Sequence, residues 1–168
     1  MKKVAILIEN LYEEPELLYP YYRLKEAEYE VHLIGTEKDK IYTGKNGYPM
    51  KSTHSSKDVK ANDYDAVIIP GGYSPDYMRR CKETINFVKE MCQQKKIIAA
   101  ICHGPWIIAS SCNLKGKKIT SFYSIKDDLI NAGAQYLDEE VVIDNNLITA
   151  RTPNDLVAFL KAIIGKLK

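Results

Sequence analysis

The chain has 168 residues, of which 45% are hydrophobic and 27% charged, so its size and composition are those of one globular domain spanning residues 1–168. Its 24 basic and 22 acidic side chains are interleaved and leave a net charge of +2, which argues against nucleic-acid binding. The first apolar run, residues 4–8, is too short for a signal sequence or a membrane span. We therefore expect a cytoplasmic protein that does not bind membranes.

Strands and helices are predicted to alternate along the chain. Apolar runs predict strands, and apolar positions at helical spacing predict the helices between them. The predicted elements are strand 4–8, helix 13–27, strand 30–34, short strands or loops in 36–62, strand 64–69, a helix within 82–94, strand 97–102, a helix after Pro105, a helix opened by a Ser124/Asp127 capping box, a hairpin at 141–149 and a last helix from Thr152. This alternation predicts an α/β fold, a three-layer α/β/α sandwich with a mostly parallel sheet.

The stretch 96–105 has the pattern of a strand that turns sharply into a helix. Cys102 ends the apolar run, and Gly104 and Pro105 follow at once. Glycine suits a tight turn and proline suits a first helical position. A thiol at the start of a helix is expected to have a lowered pKa and to react as a thiolate. The alternative is that Cys102 is a small buried core residue, as most free cysteines are.

Three loops that follow predicted strands contain polar or reactive groups. These loops are residues 10–16, 71–76 and 102–104. Since the carboxyl ends of parallel strands lie at one edge of a sheet, we expect the three loops to converge there. The convergence would bring a carboxyl group, flexible backbone donors and a thiol into one cleft.

Several motifs carry a resemblance to a known family. The segments Ala-Ile-Cys-His-Gly-Pro at 100–105, Ile-Pro-Gly-Gly at 69–72 and Tyr-Glu-Glu-Pro-Glu at 12–16 resemble the ThiJ/PfpI superfamily, and its PfpI-type group in particular. Further similar segments lie at 19–24, 125–133 and 151–156. The resemblance implies a flavodoxin-like fold, as in class I glutamine amidotransferases. It also implies a cysteine nucleophile in an intracellular peptidase or deglycase.

The resemblance assigns roles to individual residues. Cys102 is the nucleophile, and Glu13 matches the acid that hydrogen-bonds its sulfur and later donates a proton. The backbone N–H groups of Gly72 and His103 match an oxyanion hole, and His103 matches the base. Asp76 matches an acidic residue, Glu in the best-known relatives, that a neighbouring subunit supplies to His103.

Alternatives remain for two of these residues. Glu13 can simply complement the dipole of the following helix, as Glu14 and Glu16 equally can. Asp76 can cap the turn or helix after Ser74 and Pro75. A further departure from the relatives is Phe122, which stands where several of them carry a tyrosine.

Three functions are compatible with these residues. The first is a cysteine-dependent enzyme that acts on thiols and amines damaged by glyoxal or methylglyoxal. The second is a PfpI-type intracellular cysteine peptidase, and the third is an oxidative-stress redox sensor or chaperone with little turnover. Glutamine hydrolysis of the amidotransferase type is disfavoured, because no histidine follows His103.

Neither a cofactor nor a metal is predicted. Cysteines 81, 92, 102 and 112 include no Cys-x-x-Cys pair, and His32 and His54 show no metal-ligand spacing. We expect all four cysteines to be thiols. The resemblance implies a homo-oligomer, a dimer or hexamer, that acts on a small molecule or a peptide.

Overall fold

The centre of the molecule is a seven-stranded sheet, seen in a computed structural model that describes residues 1–168. Strand pairing is parallel throughout except at one edge, where a hairpin adds an antiparallel strand. The strands are β1 Lys3–Leu7, β2 Glu30–Gly35, β3 Ile41–Thr43, β4 Pro49–Lys51, β5 His54–Ser55, β6 Ala66–Ile69, β7 Ile97–Ile101, β8 Lys118–Ile119, β9 Gln135–Tyr136, β10 Val141–Asp144 and β11 Leu147–Ala150. Their order in the main sheet is β10-β11-β7-β6-β1-β2-β5, with β3/β4 and β8/β9 as separate pairs.

Six α-helices cover the two faces of this sheet. They are α1 Glu14–Glu26, α2 Ser74–Arg79, α3 Lys82–Gln93, α4 Pro105–Ser111, α5 Lys126–Asn131 and α6 Leu156–Leu167. The core on one face contains buried residues of α1 and α6, and the core on the other contains buried residues of α2 to α5. The predicted three-layer sandwich is confirmed. No helix is long and apolar enough to cross a membrane.

Four strands near the centre of the sheet account for the apolar runs seen in the sequence. In β1, β6, β7 and β11 nearly every residue is buried, because helices cover both faces of the sheet. The hairpin predicted at 141–149 is confirmed, with Asn145 at a positive φ of 54° in its turn. The short parallel pair β8/β9 was not predicted, since two-residue strands leave no periodic signal.

The sequence predictions for cysteine pairing and for one helix cap are wrong. The sulfurs of Cys92 and Cys112 are joined as a disulfide, and only Cys81 and Cys102 are free thiols. The Ser124/Asp127 capping box is absent: a 3₁₀ turn precedes α5, neither start has a side-chain cap, and the Ser124 hydroxyl contacts His103 instead. Both errors arise from contacts between residues distant in sequence, which local patterns do not reveal.

Candidate active site

Cys102 lies in a strained turn between β7 and α4. Its φ is +62°, a left-handed conformation that is rare for a residue with a side chain. Its N–H donates to the Ala150 carbonyl at 3.1 Å, and α4 begins three residues later at Pro105. Gly104 cannot bear a side chain, because a Cβ there would collide with the Ile69 carbonyl oxygen. The predicted strand–turn–helix elbow is confirmed, and the residue Cys102 is only 8% exposed.

The acid beside the sulfur is Glu16, and the placement predicted for Glu13 is wrong. Glu16 is fully buried, and its Oε2 accepts the Gly71 N–H at 2.7 Å, while Oε1 has no hydrogen-bond partner in the folded chain. Burial is the main cause that raises the pKa of Glu16 to about 8, and the interaction of its carboxyl with Cys102 offsets this rise in part. One turn into α1, Glu16 points toward the sheet, whereas Glu13 precedes the helix.

Glu13 instead forms an ion pair at the mouth of the site. Its Oε2 lies 2.7 Å from Lys45 Nζ. The neighbouring Glu14 is buried and accepts the Asn46 N–H at 2.6 Å and its Nδ2–H at 3.0 Å, which ties the loop bearing Lys45 to the start of α1. The ammonium of Lys45 is close enough to interact with the charges of Glu16 and Cys102. Sequence reasoning missed Lys45, because it lies in a polar loop with no motif.

The two backbone donors predicted for an oxyanion hole both face the sulfur. The N–H groups of Gly72 and His103 are oriented toward the Cys102 sulfur and lower the pKa of its thiol. Gly72 has a φ of +69°, and a Cβ there would lie 2.6 Å from the Glu13 nitrogen. At Gly71 a Cβ would lie 2.7 Å from Glu16 Oε2 and 2.8 Å from Cys102 Cβ. The glycine pair therefore allows the loop after β6 to approach both reactive groups.

The thiol of Cys102 does not have the lowered pKa that the sequence predicts. Burial, followed by the charge of Glu16, raises it to about 12, and the two backbone donors offset this only in part. Glu16 and Cys102 are adjacent buried acids, so their apparent pKa values belong to the pair. Of the two, Glu16 loses its proton first, and its carboxylate can then accept the proton of the Cys102 thiol, whose anion the two backbone donors stabilise.

His103 lies against Cys102 and is held by residues of the segment after β8. Its Nδ1 is 3.2 Å from the Cys102 sulfur, and its Nε2 is 3.2 Å from the Ser124 hydroxyl. The ring stacks on Phe122 with a centroid distance of 5.2 Å. Burial, and next the charge of Lys45, lowers the pKa of His103, so the imidazole is neutral near pH 7. Sequence reasoning missed the contact with Ser124.

Asp76 does not reach His103 within one chain. It lies on α2, and its Oδ2 is paired with the Arg80 guanidinium at 2.5 Å. The assignment of Asp76 to a triad across subunits stays a prediction. Within one chain the site thus consists of Cys102, His103, Glu16 and the N–H groups of Gly72 and His103, with Lys45 and Ser124 at its border.

Comparison with known proteins identifies a family to which this chain is similar. The family model described as the DJ-1/PfpI family matches residues 2–166. The chain is 41% identical over 166 residues to a protein of Pyrococcus furiosus named Deglycase PfpI, and 44% identical over 167 residues to the Putative cysteine protease YraA of Bacillus subtilis. Each alignment covers 99% of this chain and 99% of the relative.

Solved structures of similar fold also match this chain. A two-domain protein from Anabaena variabilis, with DJ-1/ThiJ/PfpI-like and ferritin-like domains, superposes with a TM-score of 0.97 at 45% identity, over 99% of this chain and 48% of that protein. Drosophila melanogaster DJ-1beta superposes with a TM-score of 0.92 at 27% identity, over 99% of this chain and 90% of that one. The motifs, the fold, the elbow cysteine and these matches together show that the chain belongs to the DJ-1/PfpI family.

Proposed function

We propose that this protein is a cysteine-dependent hydrolase that removes glyoxal or methylglyoxal adducts from thiols and amines. The observation that carries the proposal is the Cys102 sulfur in a glycine-lined turn, beside a buried acid whose pKa is raised to about 8 and facing two backbone N–H donors. This combination supplies a nucleophile, a proton donor and acceptor, and a site for a negatively charged oxygen. Relatives named as deglycases support the same chemistry.

The chemistry balances for an amine that carries methylglyoxal as an aminocarbinol. The Cys102 thiolate forms a bond to the carbinol carbon, and the C–N bond breaks as the amine takes a proton. A proton then moves from that carbon to the neighbouring carbonyl carbon, which converts the bound fragment into a thioester. Water hydrolyses the thioester and releases lactate, so one water is consumed and no external oxidant or reductant is needed.

Residues of the site can perform the proton transfers and the hydrolysis that these steps require. Glu16 can give a proton to the leaving amine and take one from carbon, because a pKa near 8 leaves both forms accessible near neutral pH. His103, neutral and 3.2 Å from the sulfur, can activate water for the hydrolysis. The N–H groups of Gly72 and His103 can stabilise the oxyanion of the tetrahedral intermediate, typically by about 3 kcal/mol each.

A peptidase is the second candidate function. The Bacillus subtilis relative that is named a putative cysteine protease favours it. The same nucleophile, oxyanion site and histidine would serve a peptide carbonyl. The redox-sensor function has less support, since Cys102 is buried and therefore poorly accessible to oxidants in solution.

The deciding experiment supplies preformed adducts and peptides to the same enzyme. Methylglyoxal adducts of N-acetylcysteine and N-acetyllysine are compared with free methylglyoxal and with fluorogenic peptides, and lactate, free thiol and fluorescence are followed. We expect lactate from the adducts, no lactate with Cys102→Ser, and normal turnover with the control Cys81→Ser. Lactate production that survives Cys102→Ser contradicts the proposal, and peptide hydrolysis without adduct turnover selects the peptidase.

We also propose that the protein is a homo-oligomer, a dimer or hexamer, in which Asp76 of one chain approaches His103 of another. The resemblance to the PfpI-type group is the basis, together with the partner of His103 Nε2 here, which is a neutral hydroxyl and no carboxylate. Sedimentation analysis of the wild type and Asp76→Asn measures the assembly. Turnover by Asp76→Asn equal to that of the wild type, in an unchanged oligomer, argues against the shared triad.

A further inference from the structure

The disulfide lies at the opposite edge of the sheet from Cys102. Cys92 is in the last turn of α3, just before β7 begins, and Cys112 follows the last residue of α4. Both helices therefore bring a cysteine to the amino-terminal edge of β7, while Cys102 is at its carboxyl end. The β10–β11 turn at Asn145 and Asn146 borders the same region.

Both disulfide sulfurs belong to residues that line a cavity of about 680 Å³. Three lysines, Lys89, Lys95 and Lys117, line it as well, and no aspartate or glutamate does. None of the three lysines forms an ion pair within the chain. The cavity is a concentration of unpaired positive charge around a disulfide.

We propose that Cys92 and Cys112 form a redox-active dithiol/disulfide pair, and that the lysine-lined cavity binds small thiols bearing carboxylate groups which exchange with it. A disulfide with a purely structural role needs no access to solvent. This one has half-buried cysteines on a cavity wide enough for a small molecule. The lysines attract a carboxylate and raise the local concentration of an anionic thiol beside the sulfurs.

The exchange balances as two successive displacements. A thiolate attacks the sulfur of one cysteine, a new S–S bond forms, and the Cys92–Cys112 bond breaks with its electron pair on the other sulfur, which takes a proton from solvent. A second thiolate attacks the mixed disulfide and leaves as the external disulfide. The protein gains two electrons and two protons, and two external thiols are oxidised.

The reduced form keeps its packing. Phe87, Val88 and Met91 of α3 and Ile107 and Ile108 of α4 belong to one buried core cluster, so the helices stay in contact without the disulfide. A Cys112 thiol also finds an acceptor, since the Ser111 oxygen lies 3.6 Å from its sulfur. Both redox states are therefore compatible with the same fold.

The test compares an anionic with a neutral thiol. Oxidised native protein is treated with 3-mercaptopropionate or 2-mercaptoethanol at equal thiolate concentrations, quenched by alkylation, and digested with trypsin. Cleavage after Lys95 and Lys96 separates the two cysteines, so mass spectrometry reports linked and alkylated peptides directly. We expect the anionic thiol to react roughly tenfold faster at low salt, and this advantage to vanish at 1 M salt, where the Debye length is about 3 Å.

Two variants of equal charge make the test specific. The triple variant Lys89→Gln/Lys95→Gln/Lys117→Gln should lose the preference, whereas Lys38→Gln/Lys161→Gln/Lys166→Gln, exposed lysines outside the cavity, should keep it. Equal rates for both thiols, the same preference in both variants, or free thiols at Cys92 and Cys112 in protein isolated without reductant would each overturn the proposal.

This proposal and the proposed function can be tested independently of each other. Cys102→Ser should leave the exchange intact, because that sulfur lies at the other edge of the sheet. Cys92→Ser/Cys112→Ser should leave adduct turnover intact. Loss of the exchange on Cys102→Ser contradicts the assignment of exchange to the cavity.

Discussion

The two edges of the sheet place cysteines in opposite environments. At the carboxyl edge Cys102 is buried beside the carboxyl of Glu16, and two backbone N–H groups face its sulfur. At the amino edge Cys92 and Cys112 lie half-buried on a cavity lined by unpaired lysines and no acid. The same side chain type thus has two different surroundings in one chain of 168 residues.

The difference shows that the surroundings, more than proximity to a helix end, determine what a cysteine does. Cys102 precedes α4 and Cys112 follows it, but α4 has only seven residues, and burial outweighs any effect of its dipole on Cys102. At Cys102 a carboxyl with a pKa of about 8 lies beside the thiol, which suits acid–base chemistry at carbon. At the disulfide the field is positive and open, which suits exchange with an anionic thiol.

The largest effect is expected from Glu16→Gln, which removes the ionisable carboxyl beside the Cys102 thiol. The amide oxygen can still accept the Gly71 N–H, so the fold is kept, but the residue can neither give nor take a proton. We expect kcat for adduct turnover to fall by about 10²- to 10⁴-fold. Glu13→Gln is the matched control, because its carboxylate pairs with Lys45, and should change kcat only a few-fold. Equal losses in the two variants would mean that Glu16 has no special role.

The free energy of unfolding should depend on pH because of the same buried carboxyl, that of Glu16. The pKa of Glu16 is raised from 4.5 to about 8 in the folded state, so between these values the unfolded chain loses this proton and the folded chain keeps it. The free energy of unfolding therefore falls as pH rises through this window, by roughly 3 to 5 kcal/mol from this group. The measurement is the difference in urea denaturation between wild type and Glu16→Gln from pH 4 to 9. A difference that does not vary with pH contradicts a raised pKa.

These two predictions depend on a residue that sequence reasoning did not select. The central strands, the elbow and the glycine loop were predicted correctly, because buried apolar runs ending in Gly or Pro are local signals. The choice between Glu13 and Glu16 was not local: it depends on which face of α1 packs on the sheet, and the apolar positions around Pro15 are too few to show that face.

The remaining misses have the same physical origin. Lys45 and Ser124 reach the site from loops whose conformation is set by distant contacts, such as those of Glu14 with Asn46. The Cys92–Cys112 bond requires the ends of α3 and α4 to meet, 20 residues apart in sequence, with a Cα–Cα distance of 6.0 Å. Pairing of helix ends follows from tertiary packing, which no spacing rule for cysteines describes.

A smaller effect is expected from reducing the disulfide at the amino edge. Opening a loop of this length releases entropy in the unfolded chain, so the free energy of unfolding should fall by about 3 kcal/mol. Thermal denaturation of Cys92→Ser/Cys112→Ser against wild type without reductant measures it, and adduct turnover below the transition should be unchanged. Reductant should lower the Tm of the wild type and leave that of the variant where it is. A Tm that does not respond to reductant would mean that no disulfide forms.

The smallest effect is expected from Ser124→Ala, which tests whether the hydroxyl positions His103. The variant loses the contact between the Ser124 oxygen and Nε2, 3.2 Å apart, but keeps the stacking on Phe122. One neutral hydrogen bond contributes about 1 kcal/mol, which corresponds to roughly a fivefold fall in kcat. Because the ring would be held less firmly, the fall should appear in kcat, with KM unchanged.

Ser110→Ala is the control for this variant. Ser110 lies on α4, the helix that follows the elbow, and its hydroxyl accepts a hydrogen bond from Arg79 at 2.9 Å but does not contact His103. A matching fall in the control would assign the effect to α4 as a whole, and a change in KM alone would assign Ser124 to substrate binding.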